Sequence, residues 1–181
     1  MLKIISVPND ILSSPTQPVA EIDERIKQLI YGMEEALLAQ KDPKGVGLAA
    51  NQVGENLSLF IIKPSEKSQV KVFINPKIVK TLNPSTSVKN PTKRRKQPVK
   101  LEGCLSIPRI WGPVKRAKKI LLEYQDFHTE AVKRRWFHGF EATIIQHEVD
   151  HLKGVVFTQR SMEQGEKLYK EVGDELKPIE I

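Results

Sequence analysis

The segment His147-Glu148-Val149-Asp150-His151 has the form H-E-x-x-H, which on a helix sets two imidazoles one turn apart with a carboxylate beside the first. Neutral imidazoles bind divalent ions, and such an ion lowers the pKa of its bound water from about 16 to about 7. Glu148 stands where it could take and return that water's proton. The spacing therefore predicts the chemistry of metal-assisted hydrolysis.

A helix over 140–153 is predicted by the glycines on either side of it and by a stripe of side chains at helical spacing. The stripe carries two apolar residues and both histidines: Phe140, Ile144, His147 and His151. The alternative is a pair of buried histidines bonded to backbone carbonyls. Because the chain has only four histidines and half of them lie here, the metal interpretation is favoured.

A catalytic metal site needs a third protein ligand and leaves one position for water. The metzincin pattern is excluded because Phe157 stands where its third histidine is required. Glu163, Glu166 and Glu171 are weak candidates, since the chain after His151 is too short for the helical domain of thermolysin-like proteases. The remaining candidate is Cys104, the only cysteine, whose thiolate would bind a borderline ion well. A lone cysteine is more often a small buried apolar residue, but the glycine and turn around Cys104 favour a ligand.

A third segment, Gly45-Val46-Gly47-Leu48-Ala49-Ala50-Asn51-Gln52, would be a weak signal alone. Together with the segments around Cys104 and His147, in this order, it resembles the signatures of the peptide deformylases. Those signatures have the forms G-x-G-x-A-A-x-Q, E-G-C-x-S and Q-H-E-x-D-H-x-x-G, and all three occur in full. The resemblance covers nearly the whole chain, with Asn51 standing where proline is frequent in the family.

The resemblance implies removal of the formyl group from the N-terminal formyl-methionine of new polypeptides, with release of formate. It implies these metal ligands: Cys104, His147 and His151. Glu148 would be the catalytic acid and base, and the Gln52 side chain and the Leu105 N–H would meet the developing oxyanion. The backbone of Val46, Gly47 and Gly103 would pair with an extended substrate. The implied cofactor is one divalent ion, with Fe²⁺ expected in the cell and Zn²⁺, Ni²⁺ or Co²⁺ able to occupy the site.

An apolar pocket for the methionine side chain is expected beside the metal. Ile144 and Phe140 lie about one and two turns before His147, and Val46 is a candidate wall. Trp111 is a further candidate wall. The alternative is that the three aliphatic and aromatic residues are ordinary core and that Trp111 is a rim residue.

Length and composition predict one catalytic domain spanning 1–181, with 39% hydrophobic residues and no apolar run long enough to cross a membrane. The start shows no secretory leader, and a single cysteine permits no internal disulfide. We therefore expect a cytoplasmic enzyme with no membrane partner.

The fold class is predicted as α+β, with short antiparallel or mixed sheets packed around a central H-E-x-x-H helix. A helix is predicted over 22–40, and Asp42-Pro43 stops it. Strands are predicted over 57–62, 70–74, 120–124 and 131–137, with one strand ending at Asn75-Pro76. Ser161, followed by Gln164, predicts the start of a short terminal helix.

The stretch 84–100 looks like an insertion relative to the family, and we expect it to be a mobile surface loop. It has no acidic residue and six basic ones: Lys89, Lys93, Arg94, Arg95, Lys96 and Lys100. Without them the net charge of +7 would fall to about +1. A solvated loop with no partner is one interpretation, and contact with ribosomal RNA during transient ribosome binding is the other.

Two other functions remain open from the sequence. One is an H-E-x-x-H metallo-endopeptidase, and the other is an inactive basic module that binds the ribosome or RNA. A formylated and an unblocked peptide distinguish them, because only a deformylase releases formate and only an endopeptidase cleaves internally.

Overall fold

The computed structural model describes residues 2–82 and 100–179, and it confirms the predicted α+β class. Within those residues three α-helices form: α1 (Glu24–Ala39), α2 (Gly139–Leu152) and α3 (Phe157–Glu163). The strands are β1 (Gly47–Ala49), β2 (Leu59–Ile62), β3 (Lys71–Leu82), β4 (Leu101–Cys104), β5 (Ile107–Pro113), β6 (Lys119–Gln125), β7 (Val132–His138), β8 (Tyr169–Val172) and β9 (Glu175–Pro178).

The strands form two antiparallel sheets. The first sheet has the order β1-β2-β3-β6-β7, and the second has the order β4-β5-β8-β9. Among the described residues, strands β1 and β4 are therefore edge strands, one from each sheet. An edge strand has backbone N–H and C=O groups that no neighbouring strand uses.

Two helices cover opposite faces of the first sheet. Helix α1 packs Ile26, Ile30 and Met33 on the face that carries Leu59 and Ile61 of β2. Helix α2 packs its apolar side chains on the other face, which carries the alternate β2 residues Phe60 and Ile62. The metal-binding motif is consequently held on a helix whose buried face is fixed by the sheet.

Helix α1 begins two residues later than the sequence predicts. Asp23 is its N-cap, and the Asp23 side chain accepts a hydrogen bond from the Ile26 N–H at 2.9 Å. Because this capping bond fixes extended backbone at Asp23, Ile22 stays outside the helix, although it is buried in the same core.

The prediction that a strand ends at Asn75-Pro76 is wrong. Strand β3 continues to Leu82 through a register shift between Ile74 and Lys77, which accommodates the missing N–H of proline. Asn75 has a positive φ of 49°, and its side-chain amide bonds both backbone groups of Val19. These bonds hold the irregular residue in place.

The predicted terminal helix starting at Ser161 is also wrong. Helix α3 begins at Phe157, places Ser161 in its last turn and has Gln164 as its C-cap. The chain then enters the β8–β9 hairpin. Phe157 is fully buried against Cys104 and Leu168, so core packing sets the start of the helix and outweighs the local capping pattern.

The predicted insertion at 84–100 lies outside the described residues, apart from Lys100. In the part of the chain that the structure describes, none of the helices has both the length and the apolar character needed to span a membrane.

Candidate metal centre

Helix α2 presents three chemically active side chains on its buried surface. His147 and His151 lie one turn apart, and their ring centroids are 5.0 Å from each other. Glu148 is only 3% exposed and follows His147 directly. The helical spacing predicted from H-E-x-x-H is therefore present, and it places both imidazoles and the carboxylate in one buried region.

Cys104 reaches the two histidines from the end of β4. Its Sγ lies 3.1 Å from Nε2 of His151, and the ligand atoms of Cys104, His147 and His151 all lie within 4.8 Å of one another. One thiolate and two imidazoles suit a borderline divalent ion, and three protein ligands leave a tetrahedral position for water. The donor set and its spacing therefore fit one divalent ion.

The charge states of the ligands are coupled. Burial opposes ionisation of the Cys104 thiol, but His151 and His147 outweigh it and hold its pKa well below the usual range. Burial likewise disfavours protonation of His147, but hydrogen bonds with Cys104 and Glu102 raise its pKa well above the usual value. The lowered pKa of Cys104 favours the thiolate, which is the form of cysteine that binds metals.

Glu102 orients His147. Its Oε2 lies 3.0 Å from Nδ1 of His147, which leaves Nε2 of that ring on the side of the other ligands. Arg116 donates two hydrogen bonds to the Glu102 carboxylate, each at 2.9 Å. Burial disfavours the Glu102 charge, but the bonds from Arg116 and His147 keep its pKa below the ordinary value.

The same network ties the site to α3. Arg116 also donates to Asp150, and Arg160 of α3 donates to the other Asp150 oxygen at 2.9 Å. Arg116, Glu102 and Asp150 have side chains about 9% exposed, so these charges compensate one another away from water. Removing one partner would leave an unpaired charge under the metal-ligand candidates.

Glu148 has a different environment. Its Oε2 has no hydrogen-bond partner among the described residues, and its Oε1 lies against the backbone of β1. A Cβ placed on Gly47 would be 2.2 Å from that oxygen. Burial raises the pKa of Glu148 to about 7, with the neighbouring histidines opposing the rise. A carboxyl group that can gain or lose a proton near neutral pH suits acid and base catalysis.

Gln52 approaches Cys104 from the turn that follows β1. Its side-chain oxygen accepts from the Ala49 N–H at 2.9 Å, which fixes which end of the amide is the donor. The amide nitrogen donates to Ser106 Oγ at 3.0 Å and lies 3.5 Å from Cys104 Sγ. Gln52 is 2% exposed, so this orientation is held by the core.

Asn51, next to Gln52 in the chain, makes a structural contact. Its side-chain nitrogen donates to the carbonyl oxygen of His151 at 2.6 Å and to that of Ile11. It therefore fastens the end of α2 to the turn that carries Gln52.

A cavity of about 940 Å³ opens onto Glu148 and two of the metal-ligand candidates, Cys104 and His147. Every residue that the sequence assigned to substrate or oxyanion binding lines it: Val46, Gly47, Gln52, Gly103, Leu105, Trp111, Phe140 and Ile144. Phe140 is 48% exposed, so it forms a rim of the cavity and is not ordinary core. Ile144 is 3% exposed and belongs both to the core and to the wall. Trp111 is half-buried.

Sequence reasoning assigned no role to the buried partners Glu102, Arg116, Asp150 and Ser106. Glu102 and Ser106 belong to the E-G-C-x-S segment and Asp150 to the H-E-x-D-H segment, so these three could have been noted. Arg116 carries no local signal, since it lies among other basic residues that are exposed.

Comparison with known proteins gives one consistent family. The family model described as polypeptide deformylase matches residues 1–167. The peptide deformylase of Psychrobacter arcticus is 38% identical over 158 residues, covering 87% of this chain and 77% of that protein. The peptide deformylase of Aquifex aeolicus is 37% identical over 162 residues, covering 87% of this chain and 85% of that protein.

Solved structures agree with these matches. A peptide deformylase from Thermotoga maritima has a TM-score of 0.73 at 32% identity, covering 88% of this chain and 97% of that one. A peptide deformylase from Synechococcus elongatus, solved in complex with actinonin, has a TM-score of 0.75 at 32% identity, covering 88% and 80%.

Proposed function

The chain belongs to the peptide deformylase family, and we propose that Cys104, His147, His151 and Glu148 carry out the reaction of that family. The protein is a metal-dependent hydrolase that removes the N-formyl group from new polypeptides. The comparisons give no support to an endopeptidase or to an inactive RNA-binding module. The observation that carries the residue assignment is the meeting of three metal-ligand atoms within 4.8 Å beside a buried carboxylate.

Cys104, His147 and His151 would hold the single divalent ion. When bound, such an ion lowers the pKa of a coordinated water and withdraws charge from the formyl oxygen. We propose Fe²⁺ as the ion used in the cell, with Zn²⁺, Ni²⁺ or Co²⁺ able to bind the same donors. Zn²⁺ generally binds such sites more tightly than Fe²⁺, so availability decides which ion is found after purification.

Glu148 moves the proton. It takes a proton from the attacking water as the oxygen–carbon bond forms, and it delivers that proton to the nitrogen as the carbon–nitrogen bond breaks. The products are formate and a free amino terminus. This role is supported by the burial of Glu148 and by an oxygen with no protein partner among the described residues.

Gln52 and Leu105 stabilise the charge that develops on the formyl oxygen. The amide nitrogen of Gln52 is aimed toward Cys104, and Leu105 follows Cys104 directly in the chain. Two N–H groups held by the fold would meet the oxyanion without reorganising, and loss of one such donor typically costs about 10²- to 10³-fold in turnover.

The substrate is proposed to enter as an extended chain between the two sheets. Gly47 lies on edge strand β1 and Gly103 on edge strand β4, so the backbone groups of each are available for pairing. Val46, Phe140 and Ile144 line the same cavity and would surround an unbranched thioether side chain. Trp111 forms a further wall beside Gly103.

The test is incubation with formyl-Met-Ala-Ser and, separately, with an unblocked peptide, measuring formate and internal cleavage. Formate release without internal cleavage is the expected result. Internal cleavage of the unblocked peptide would support the endopeptidase, and neither product from metal-loaded protein would contradict both enzyme functions.

The proposed setting is the cytoplasm, where nascent formyl-methionyl polypeptides leave the ribosome. A chain with a single cysteine suits that reducing compartment. We further propose that the basic stretch 84–100 contacts ribosomal RNA transiently, supported by its six basic and no acidic residues.

A further inference from the structure

The C-terminal hairpin β8–β9 is connected to the substrate cavity through Trp111. Strand β8 extends the second sheet by pairing with β5, and in that register Trp111 lies opposite Tyr169. The indole N–H of Trp111 donates to the Glu171 carboxylate at 2.9 Å. The hairpin therefore fixes both the backbone and the side chain of this residue.

The other side of the Trp111 ring touches the strand proposed to pair with substrate. A Cβ placed on Gly103 would lie 2.8 Å from Cζ3 and 3.0 Å from Cε3 of the indole. The six-membered ring thus covers Gly103, the residue directly before the metal-ligand candidate Cys104. Any rotation of the indole would change the space beside Gly103.

Trp111 also lines two cavities. It lines the large cavity at the metal centre and a smaller one of about 470 Å³ that Glu171 and Leu176 line from the hairpin. Because the smaller cavity leaves space on the hairpin side, packing alone does not fill the surroundings of the indole. The hydrogen bond to Glu171 is the directional contact that selects one orientation.

We propose that Glu171 is a positioning residue that holds Trp111 against Gly103, and that the hairpin thereby sets affinity for the substrate residues after the N-terminal methionine. A wall already held in its binding conformation spares the ordering cost that a freely rotating indole would add on binding. Glu171 touches neither the metal ligands nor Glu148, so its effect falls on substrate binding. The identity of the substrate rests on the proposed function.

Kinetics of Glu171→Ala test this role. For formyl-Met-Ala-Ser we expect KM to rise about three- to tenfold, the effect of losing one hydrogen bond of ordinary net strength, with kcat nearly unchanged. For formyl-methionine alone, which lacks the following residues, KM should change little. In Glu171→Gln the KM should stay close to that of the unaltered enzyme, because the glutamine amide oxygen can accept the indole hydrogen bond.

Fluorescence tests the positioning without any turnover. The chain has two tryptophans, and Trp136 is 39% exposed on the other sheet, so Trp136→Phe leaves Trp111 as the single reporter. In that background Glu171→Ala should shift the emission to longer wavelength and lower its anisotropy. Lys170→Ala is the matched control, since Lys170 is exposed on the same strand and alternate side chains face opposite ways.

Unchanged emission and KM in Glu171→Ala would overturn the proposal. An equal rise of KM in Lys170→Ala, or an equal loss with formyl-methionine alone, would also overturn it, because either result indicates general disruption of the strand. If the unaltered enzyme released no formate, the proposed function would fail, while the emission comparison would still decide whether Glu171 holds Trp111.

Discussion

Cys104 and His147 lie in a buried region, where separate charges would be costly, and each is stabilised by a group of opposite charge. The Cys104 sulfur faces two imidazoles, and His147 is backed by the Glu102 carboxylate. Glu102 is in turn neutralised by Arg116. The ligand set is therefore a compensated charge network, and its members should not be independent of one another.

Replacing the thiolate tests the ligand assignment. Cys104→Ser should sharply reduce the metal retained after dialysis, because a serine hydroxyl is a much weaker ligand than a thiolate for a borderline ion. Metal content of the dialysed protein measures this, with His128→Gln as the control for loss of an exposed histidine. Retention of one tightly bound ion in Cys104→Ser would remove Cys104 from the site and return attention to Glu166, the one of the three candidate glutamates that lines the same cavity.

Replacing Glu148 separates proton transfer from metal binding. Glu148→Gln keeps the size of the side chain but cannot take up and return a proton, so turnover should fall by roughly 10²-fold or more with full metal content. Formate release and metal content are measured together. Glu141→Gln, on the same helix and outside the cavity, should deformylate normally. Normal turnover in Glu148→Gln would show that another group moves the proton.

At the scale of elements, the strongly periodic parts of the sequence were predictable. The pattern of H-E-x-x-H with Phe140 and Ile144 predicted α2, because a buried helical face repeats every turn. Prediction failed where tertiary contacts determine the end of a strand or the start of a helix. The hydrogen bonds from Asn75 to Val19 carry β3 past a proline, and burial of Phe157 starts α3 before the capping pattern at Ser161.

The residues of the candidate site also fall into two groups, those that sequence motifs predict and those that depend on tertiary contacts. Its candidate ligands and Glu148 could be named from motifs, because their proposed chemistry requires particular residue types at particular spacing. The ion pairs of Arg116 with Glu102 and Asp150 could not, because a buried guanidinium depends on partners that two distant elements, β4 and α2, bring together. The link from Glu171 to Trp111 depends on the pairing of β8 with β5, which no local pattern reveals.

The close approach of β1 to α2 gives a test at this scale. Gly47→Ala would place a methyl group 2.2 Å from Oε1 of Glu148 and 2.9 Å from a carbon of Ile144. The carboxylate is the end of a flexible side chain, so it should move while the fold and the metal ligands persist. Because a misplacement of about 1 Å at a catalytic group can cost about 10²-fold, turnover should fall at least about tenfold.

The control for Gly47→Ala is Gly32→Ala on α1. There the added methyl group meets only the Leu2 side chain, and alanine is the better helix former. Thermal unfolding, metal content and formate release should all be near those of the unaltered enzyme. Normal turnover in Gly47→Ala would mean that Glu148 still functions when it is displaced. Loss of metal from this variant would mean that strand β1 itself had shifted.

At the scale of the whole molecule, the site forms where the edges of two sheets meet over one helix. Strand β1 places Gly47 against Glu148, strand β4 carries Cys104, and α2 carries the two histidines. Motifs separated by about fifty residues in the sequence therefore converge only when both sheets have formed. The positive charge is concentrated in one segment, because most of the net charge of +7 comes from the stretch 84–100.

That concentration of charge gives the last prediction. If the stretch 84–100 contacts RNA phosphates, ribosome binding should weaken steeply with salt, with a log–log slope of about −0.7 to −0.9 for each phosphate neutralised. Deleting 89–96 removes five basic residues and should flatten that slope. Hydrolysis of a short formyl peptide should hardly change, since the deletion ends before Glu102 and Cys104. Ribosome cosedimentation over a range of salt concentrations measures the slope.

A length-preserving variant with the same five basic residues changed to Gln separates charge from loop length. The polyelectrolyte effect depends on released counterions, so this variant should lose the salt dependence as fully as the deletion does. If the deletion flattens the slope and the Gln variant does not, the contact with the ribosome depends on the presence of the loop and not on its charge. Equal affinity and slope in all three proteins would leave the stretch as a solvated insertion. Loss of small-peptide turnover would instead place it at the entrance of the substrate cavity.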